Sequence, residues 1–279
     1  MISIVIPVYN RKELTRDCLI SLRNQTVKVD QVIVVDDGST DGTKEMLKNE
    51  FAEVFVICGS GNLFWTAAVN MGIRHALTSK GDYIMTMNND TMASGNFIEN
   101  MLGWAVKKPD AILSSFELDI FTKNPYYGGE VVNWFWDSSR FLLDVLHEED
   151  HHGLHEISVA SGRGLLIPRK VFETVGLFAE KELPHYMADY DFACLARRSG
   201  FELYCNYDAK LFTYSDESGD KKIIRKKSLK NYFNHLFSIK GGGNLKNFTI
   251  YTFRNSPKVL IPLHLVKGYS QRILGYLLK

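Results

Sequence analysis

Two stretches of sequence decide the fold: Ile2-Ser3-Ile4-Val5-Ile6-Pro7-Val8-Tyr9-Asn10 and Gln31-Val32-Ile33-Val34-Val35-Asp36-Asp37-Gly38-Ser39-Thr40-Asp41. Each opens with a short apolar run, rich in β-branched residues, that favours a buried strand. Polar residues follow each run at once and predict a turn. Between the two runs, apolar residues share one helical face: Leu14, Cys18, Leu19 and Leu22. We expect Asn10 to cap this helix.

The alternation of strand and helix continues to about residue 115. Further strands are expected at 53–57, 82–87 and 111–115, and further helices at 42–48, 66–77 and 96–106. Strands that alternate with helices predict βαβ units, and so an α/β fold with a mostly parallel, doubly wound sheet flanked by helices. The pattern loosens over residues 116–156, and two more helices are expected near 169–175 and 189–199.

The composition is that of an ordinary globular protein. The 279 residues are 45% hydrophobic and 23% charged, enough for a sizeable core. The four cysteines lack metal or redox spacing, and the first residues lack a signal-peptide leader, so we expect a cytoplasmic protein. No apolar run reaches the roughly 18 residues that a membrane-spanning helix needs.

Three polar clusters fall at the ends of predicted strands. They are Tyr9-Asn10, Asp36-Asp37 and Asn88-Asn89-Asp90. Ligands of open α/β sheets bind at the carboxyl ends of the strands. The spacing therefore predicts a binding site at this edge of the sheet.

Five motifs in order carry a family resemblance: Val5–Asn10, Val34–Asp41, Met87–Asp90, Gly162–Pro168 and Ala188–Asp191. Together they resemble the large family 2 of glycosyltransferases over roughly residues 1–212. The resemblance implies a GT-A fold and transfer of a sugar from a nucleotide donor. The segment Gly61-Asn62-Leu63-Phe64-Trp65-Thr66, with Asn70 and Gly72, resembles the rhamnosyltransferase-like branch.

The resemblance implies a donor-binding role for the strand-end residues. In the family an aspartate contacts the base, a position that matches Asp37, with Asp36 beside it. Asp41 is expected to cap a helix. The residues expected to bind the nucleotide are Pro7, Tyr9, Asn10, Asp36, Asp37, Asn62, Asn88 and Asn89.

The donor diphosphate implies a divalent cation. Mg²⁺ or Mn²⁺ takes one or two carboxylates plus phosphate oxygens. The family uses an Asp-x-Asp motif, of which the last aspartate is the usual metal ligand and matches Asp90. Asn88 stands in place of the first aspartate. The histidine-rich segment 147–155 also resembles a metal cluster, but a solvated loop explains it as well.

Inverting transfer needs a base across from the leaving group. The family places it in a Glu-Asp-x-Asp-like segment that opens a helix, here Ala188-Asp189-Tyr190-Asp191. The resemblance therefore makes Asp189 the candidate base. Ala188 replaces the family's glutamate, and a purely structural role for Asp189 as a helix N-cap is the alternative. Four residues are weaker candidates for binding the acceptor: Trp65, Trp134, Trp136 and Asp191.

The C-terminal segment is strongly basic. From Lys221 to Lys279 there are 13 Lys or Arg and no Asp or Glu, whereas the remainder holds 20 basic and 32 acidic residues. Its last helix is expected to place five apolar residues on one face: Leu263, Val266, Ile273, Leu274 and Leu277. Such a helix lies in the surface of an anionic membrane. Packing on the acidic body or an oligomer interface is the alternative.

These patterns predict a catalytic domain over 1–220 and a basic helical extension over 221–279. Within the domain, 1–115 would bind the nucleotide sugar and 116–220 would carry the acceptor site and base. The expected function is single-sugar transfer to a glycan or lipid-linked glycan hydroxyl in bacterial cell-surface polysaccharide synthesis. The expected donor is dTDP-rhamnose or a UDP-sugar. A nucleotidyltransferase and a non-catalytic nucleotide-sugar-binding protein are the alternatives.

Overall fold

A computed structural model describes residues 1–215 and 228–278. The strands are β1 (Ile2–Val8), β2 (Gln31–Asp36), β3 (Phe55–Cys58), β4 (Tyr83–Thr86), β5 (Thr91–Ala93), β6 (Ile112–Asp119), β7 (Pro125–Tyr127), β8 (Glu130–Asn133), β9 (Ser138–Phe141), β10 (Leu154–Glu156), β11 (Leu165–Pro168) and β12 (Leu203–Thr213). The helices are α1 (Lys12–Arg23), α2 (Thr43–Glu50), α3 (Phe64–Ala76), α4 (Phe97–Lys107), α5 (Arg169–Val175), α6 (Ala188–Arg198), α7 (Leu229–Phe237), α8 (Leu245–Asn255) and α9 (Ile261–Leu278).

The main sheet is mixed, with parallel pairs on both sides of one antiparallel strand. Its order is β10-β12-β6-β11-β4-β1-β2-β3, while β5 pairs with β12 and β7 with β6. The pairs β4–β1, β1–β2, β2–β3 and β6–β12 are parallel. Strand β11 runs antiparallel between β4 and β6. The predicted parallel α/β half is therefore confirmed, and β11 joins it to a second, mixed half.

Two hydrophobic cores cover the two faces of the sheet. In β1, Ile4 and Ile6 enter the core beneath α1 and α4, whereas Val5 enters the core beneath α3. Side chains of a strand alternate between faces, so a run that is apolar at every position must be covered on both sides. This explains why the run at 2–8 has no polar face and why helices lie on both sides of it.

Most predicted elements lie within a few residues of their expected bounds, and the differences have local causes. Strand β6 extends to Asp119, four residues beyond the expected end, because β12 pairs with it along most of its length. The expected cap at Asn10 is wrong. Arg11 occupies the N-cap position, and the Asp41 carboxylate accepts a hydrogen bond from the Lys12 amide at 2.9 Å.

The described part of the C-terminal segment, 228–278, contains the helices α7, α8 and α9, which pack on one another and on the body. Helix α8 is fixed to α6 by Arg254, whose Nε donates to both carboxylate oxygens of Asp191 at 2.8 and 3.0 Å. Part of the basic run, residues 221–227, lies outside the described residues. Within 1–215 and 228–278, no helix is long and apolar enough to cross a membrane.

Candidate active site

The strand-end residues gather as expected at the carboxyl edge of β1, β2 and β4. Because these three strands are parallel neighbours, residues that follow them in sequence lie side by side. Two further segments reach the same place: the loop 161–164 before β11 and the first turn of α6. The site is thus assembled from segments up to about 190 residues apart in the sequence.

Asn10 and Asp36 shape the turn after β2. Asn10 has a positive φ of 50°, and its Oδ1 accepts a hydrogen bond from the Thr40 amide at 2.7 Å. The Asp36 carboxylate accepts from the Ser39 amide at 3.0 Å. Both side chains therefore hold the backbone of this turn in place. Asp41 does not occupy an N-cap position, which is Gly42 in α2, but its carboxylate accepts from the first amides of two helices, Lys12 of α1 and Thr43 of α2 at 3.1 Å.

Asp37 fixes the loop that follows β3. Its buried carboxylate accepts hydrogen bonds from the amides of Gly61 at 2.7 Å and Leu63 at 2.8 Å. Asn62, between them, is exposed. Each carboxylate oxygen has a second lone pair. Asp37 can therefore support this loop and still accept from a nucleotide base.

Trp65 joins three of the motifs. Its indole Nε1 donates to Asn88 Oδ1 at 2.8 Å. A Cβ on Gly162 would lie 2.4 Å from the Trp65 ring, so only glycine lets the 161–164 loop approach the indole this closely. Asn89 is buried and donates to Thr15 Oγ1 at 3.0 Å, which ties the end of β4 to α1.

Asp90 has one paired and one unpaired oxygen. Its Oδ2 accepts from Arg11 Nη1 at 2.6 Å, and the residue is 8% exposed. Its Oδ1 is buried and has no hydrogen-bond partner in the described part of the chain. A buried, unpaired carboxylate oxygen is costly unless something binds it, and oxygen is the ligand that Mg²⁺ and Mn²⁺ prefer. This atom fits a divalent cation held by one carboxylate and by substrate phosphates.

The described residues offer no larger preformed metal cluster. In 1–215 and 228–278 no three His, Cys, Asp or Glu side chains form a group that could hold an ion, and this includes the histidine-rich segment 147–155. The segment after β12 does approach Asp90, since the Tyr214 amide donates to the Asp90 carbonyl at 3.2 Å.

Asp189 lies in the first turn of α6, against the 161–164 loop. Its Oδ2 accepts from the Gly162 amide at 3.0 Å, and its Oδ1 accepts from the Tyr190 amide at 3.0 Å. Burial raises the pKa of the Asp189 carboxyl, an effect that these two amides and the Arg163 charge oppose. The N-cap alternative is wrong, because Met187 occupies the N-cap position of α6 and Asp189 is the second residue of the helix. Its side chain instead contacts the loop that lines the site.

A pair of charges, the buried Glu117 and the half-buried Arg163, interacts electrostatically with both of these carboxylates. Arg163 Nε is 3.1 Å from Glu117 Oε2, and Glu117 is fully buried on β6. Burial raises the pKa of Glu117, while the Arg163 charge lowers it. Burial lowers the pKa of Arg163, but the negative charges of Glu117, Asp90 and Asp189 outweigh this effect and raise it. Sequence reasoning missed the pair, although a glutamate inside a buried strand is a signal.

The C-terminal segment also reaches the site. Lys240 Nζ lies 5.6 Å from the centre of the Tyr9 ring, and Tyr9 is exposed at the end of β1. His185, three residues before α6, stacks on Tyr186. Burial, followed by the charges of Lys240 and Arg11, lowers the pKa of His185 to about 4. A basic residue of the extension therefore lies at the edge of the candidate site.

Three of the predicted acceptor residues lie apart from this group. Asp191 is 2% exposed, and its carboxylate binds Arg254 and Asn255 of α8. Trp134 lies beside Tyr251 of α8, and the carbonyl of Trp136 accepts from Lys267 of α9 at 2.8 Å. The contacts described for them join the body to the C-terminal helices. Trp65 alone of the four contacts the residues around Asp189.

Comparison with known proteins identifies the family. The model of glycosyl transferase family 2 matches residues 3–176. An uncharacterized glycosyltransferase of Rickettsia typhi is 30% identical over 194 residues, 68% of this chain and 57% of that protein. Glycosyltransferase GlyG of Streptococcus pneumoniae is 27% identical over 188 residues, 58% of this chain and 61% of that protein. The chain thus spans less than two thirds of the length of these relatives.

Solved structures define the fold class. GalNAc-T7 with UDP, GalNAc and Mn²⁺ aligns with a TM-score of 0.61 and 15% identity, over 76% of this chain and 43% of that one. TarS of S. aureus aligns with a TM-score of 0.62 and 14% identity, over 99% of this chain and 55% of that one. The fold is therefore of the GT-A type, a mostly parallel sheet flanked by helices. With the family match, the chain belongs to family 2 of the glycosyl transferases.

Proposed function

We propose that this chain is an inverting glycosyltransferase that moves one sugar from a nucleotide donor to a hydroxyl of a glycan or lipid-linked glycan. The observation that carries the proposal is a pair of buried or half-buried carboxylates at the carboxyl edge of the sheet: Asp90, whose Oδ1 has no partner in the described part of the chain, and Asp189, which contacts the 161–164 loop. A single displacement needs one group at the leaving diphosphate and another at the attacking hydroxyl. Two carboxylates on separate elements supply these positions.

Asp189 is the proposed general base. A base works best when its pKa lies near the working pH, and burial raises the pKa of this carboxyl. Its hydrogen bonds to the Gly162 and Tyr190 amides fix its orientation. Asp189 would accept the proton of the acceptor hydroxyl as that oxygen attacks the sugar. Trp65, against Gly162, offers an aromatic face for a sugar at the same place.

Asp90 is the proposed ligand of a divalent cation, Mg²⁺ or Mn²⁺, through its unpaired Oδ1. Such a cation supplies charge neutralisation for the leaving diphosphate. Asn88 cannot add a second charge, and its Oδ1 already accepts from Trp65. We therefore propose a metal dependence that rests on one carboxylate of this chain and on substrate phosphates.

The donor would bind along Pro7, Tyr9, Asn10, Asp36 and Asp37. The rhamnosyltransferase-like segment at 61–72, held by Asp37, supports dTDP-rhamnose, and a UDP-sugar is the second candidate. The absence of a glycine-rich loop between β1 and α1, where the sequence reads Tyr9-Asn10-Arg11, argues against a nucleotidyltransferase. A non-catalytic binding protein would bind donor and leave it intact.

We further propose that the C-terminal helices hold the enzyme at the cytoplasmic face of an anionic membrane, where a lipid-linked acceptor in cell-surface polysaccharide synthesis would lie. The apolar side chains of α9 point outward: Leu263, Val266, Ile273 and Leu274. Its inward face contains His264 and Tyr276 instead. Helix α7 likewise exposes three apolar residues: Leu229, Phe233 and Phe237. Exposed apolar faces on a segment without acidic residues support a lipid surface as the partner.

The proposed function is tested first by the binding of nucleotide sugars and then by the stereochemistry of the transfer product. Nucleotide sugars that bind should raise the melting temperature by mass action. The best of them is then incubated with Mn²⁺ and candidate acceptors, and the anomeric configuration of the product is read by NMR. Binding without transfer or hydrolysis would leave the binding-protein alternative, and a product of retained configuration would refute inversion.

A further inference from the structure

We propose that the tip of the β8–β9 hairpin, residues 134–137, is a second membrane contact, which places Phe135 and Trp136 in the headgroup boundary beside α9. The proposal rests on the membrane attachment in the proposed function and adds a new part to its contact surface. The sequence suggested an acceptor role for Trp136 instead.

The hairpin tip exposes two large aromatic side chains. Phe135 is 62% exposed and Trp136 is 68% exposed, and their rings meet edge to face with centroids 4.9 Å apart. Both residues lie beyond the last pair of the hairpin, Asn133 with Ser138. Side chains of this kind are usually buried in soluble proteins, and adjacent exposed ones mark an interaction site.

The backbone of the tip holds these two residues in place. Asn133 Oδ1 accepts hydrogen bonds from the amides of Phe135 at 3.0 Å and Trp136 at 3.2 Å. Asp137 has a positive φ of 45°, within the same turn. An asparagine side chain that binds the backbone two residues on stabilises such a turn. The rings are thus presented on a formed turn, so little conformational freedom is lost when they bind.

Helix α9 fixes the position of the tip. Lys267 Nζ donates to the carbonyl of Trp136 at 2.8 Å and also to the carbonyl of Asp137. Lys267 lies four residues after Leu263 and seven before Leu274, so helical spacing places it on the same face as these two exposed side chains. The aromatic tip therefore adjoins the outward apolar face of α9, and one membrane surface can receive both.

The charges around the tip suit an anionic surface. Its one acidic residue, Asp137, faces two cations of α9, Lys267 and Arg272. Burial lowers the pKa of Arg272 to about 10, and the nearby Asp137 carboxylate opposes this change. The acidic residues of 144–150 follow the far end of β9, about 10 Å away along the strand.

A lipid surface fits the tip better than a sugar does. Sites for small ligands are concave and enclose most of the ligand. Phe135 and Trp136 instead project from the end of a hairpin, and more than half of each side chain is exposed. An indole, with an apolar body and a polar N–H, suits the boundary between headgroups and acyl chains.

The contact is tested on the full-length protein by fluorescence quenching. The vesicles contain phosphatidylglycerol and a phosphatidylcholine that carries bromine on its acyl chains, which quenches a tryptophan inserted among them. The wild type should be quenched. Trp136→Phe should bind equally well, because an aromatic ring remains, but should lose most of the quenching. Trp134→Phe is the control and should keep it, because the half-buried Trp134 ring lies beside Tyr251 of α8.

A second measurement is vesicle affinity by co-sedimentation. Phe135→Ser with Trp136→Ser should weaken binding by about tenfold or more, since two aromatic side chains would no longer leave water. Phe141→Ser is the matched control, because Phe141 is 46% exposed at the opposite end of β9. It should bind the vesicles as the wild type does.

Quenching of Trp136→Phe equal to that of the wild type would overturn the proposal, as would an equal loss of affinity in Phe141→Ser. If the wild type bound vesicles and only substitutions in α9 weakened binding, the tip contact would fail while the attachment through α9 stood. If the wild type bound no vesicles, both would fail, and transfer to a soluble acceptor would still test the glycosyltransferase proposal separately.

Two other results would give the tip a different partner. A raised KM for a soluble acceptor in the Phe135→Ser, Trp136→Ser variant, with unchanged vesicle binding, would assign the tip to the acceptor and overturn the proposal. A change of oligomeric state in that variant, again with unchanged vesicle binding, would assign the tip to a contact between copies of the chain and would also overturn it.

Discussion

At the scale of single residues, the same side chains serve structure and proposed chemistry. Asp37 holds the loop at 59–63 in place, and Asp189, in the first turn of α6, binds the Gly162 amide. Carboxylates can do both because each oxygen accepts more than one hydrogen bond. A substitution at such a position therefore needs two readouts, one for folding and one for the reaction.

Asp189→Asn should lower turnover by a factor of about 10² or more, as loss of a general base does. Donor affinity should change little, because an amide oxygen can still accept from Gly162. Glu182→Gln, at an exposed carboxylate seven residues earlier, is the control. Steady-state transfer and calorimetric donor binding measure the two effects. Donor binding that falls in parallel with turnover would point to a structural role.

The pH profile of the wild type gives an independent measure of Asp189. A base must be unprotonated, so kcat/KM should fall as pH falls through the pKa of this carboxyl. Because burial raises that pKa, the acid limb should lie at higher pH than the ordinary aspartate value near 4. An acid limb at or below that value would contradict the assignment.

Asp90→Asn should remove most of the metal-dependent turnover while the protein stays folded. A neutral amide binds a hard cation less well than a carboxylate does. The side chains have nearly the same shape, so the thermal unfolding curve should move little. Turnover is measured over a Mn²⁺ titration and in excess chelator. Wild-type turnover of this variant in chelator would show that Asp90 holds no catalytic metal.

At the scale of elements, the 161–164 loop connects Trp65 to Asp189. Gly162→Ala would put a methyl group 2.4 Å from the indole ring, so the loop or the ring must shift. A shift of about 1 Å at the base can cost on the order of 10² in rate, and overpacking costs about 1–3 kcal/mol of stability. Gly95→Ala, where a Cβ meets nothing within 4 Å, is the matched control. If Gly162→Ala kept the wild-type kcat, the 161–164 loop would have no role in positioning the catalytic residues.

Substitution of Asp191 tests whether this residue binds the acceptor or serves as a structural contact between α6 and α8. Its carboxylate is buried and binds Arg254 and Asn255, so Asp191→Asn should lower the free energy of unfolding by about 1–3 kcal/mol. Glu156→Gln, which breaks the exposed pair with Arg197, should cost less than about 1 kcal/mol. Urea unfolding measures both. Unchanged stability with a raised acceptor KM would favour the acceptor role that the sequence suggested.

The sequence predicted the elements that local pattern determines. Strands β1 and β2 follow from apolar runs, and the strand-end position of Asp37 and Asp90 follows from topology. Arg11 could not be assigned, because its partner lies 79 residues away and the ion pair depends on how β1 and β4 align. Asp191 could not be separated from Asp189 for a similar reason. Helical spacing turns the two side chains in different directions, and Arg254 lies 63 residues further on.

At the scale of the whole molecule, the C-terminal helices connect the proposed membrane attachment to the proposed sugar transfer. Through Arg254 they are fixed to α6, which carries Asp189 in its first turn, and through Lys240 they reach Tyr9. The outward faces of α7 and α9 carry the exposed apolar side chains. A membrane bound to these faces would therefore hold the catalytic domain in a fixed orientation.

Vesicle co-sedimentation tests that orientation. Full-length protein should bind vesicles that contain phosphatidylglycerol more tightly than pure phosphatidylcholine, and less tightly at high salt, because each basic residue near an anionic surface contributes about 1 kcal/mol. Leu263→Ser with Val266→Ser should weaken binding by about tenfold or more, since two apolar side chains would no longer enter the lipid. Point variants leave the Asp191–Arg254 pair intact, which truncation would not.

Val106→Ser is the matched control for the loss of apolar surface. Val106 is 81% exposed on α4, whereas Leu263 and Val266 are 62% and 66% exposed on α9. Only the α9 substitutions should reduce binding, because Val106 lies outside the basic segment. Equal effects of both, or equal binding to neutral and anionic vesicles, would rule out α9 as the attachment face. A change of oligomeric state in the α9 variant without a change in lipid binding would favour an interface between copies of the chain instead.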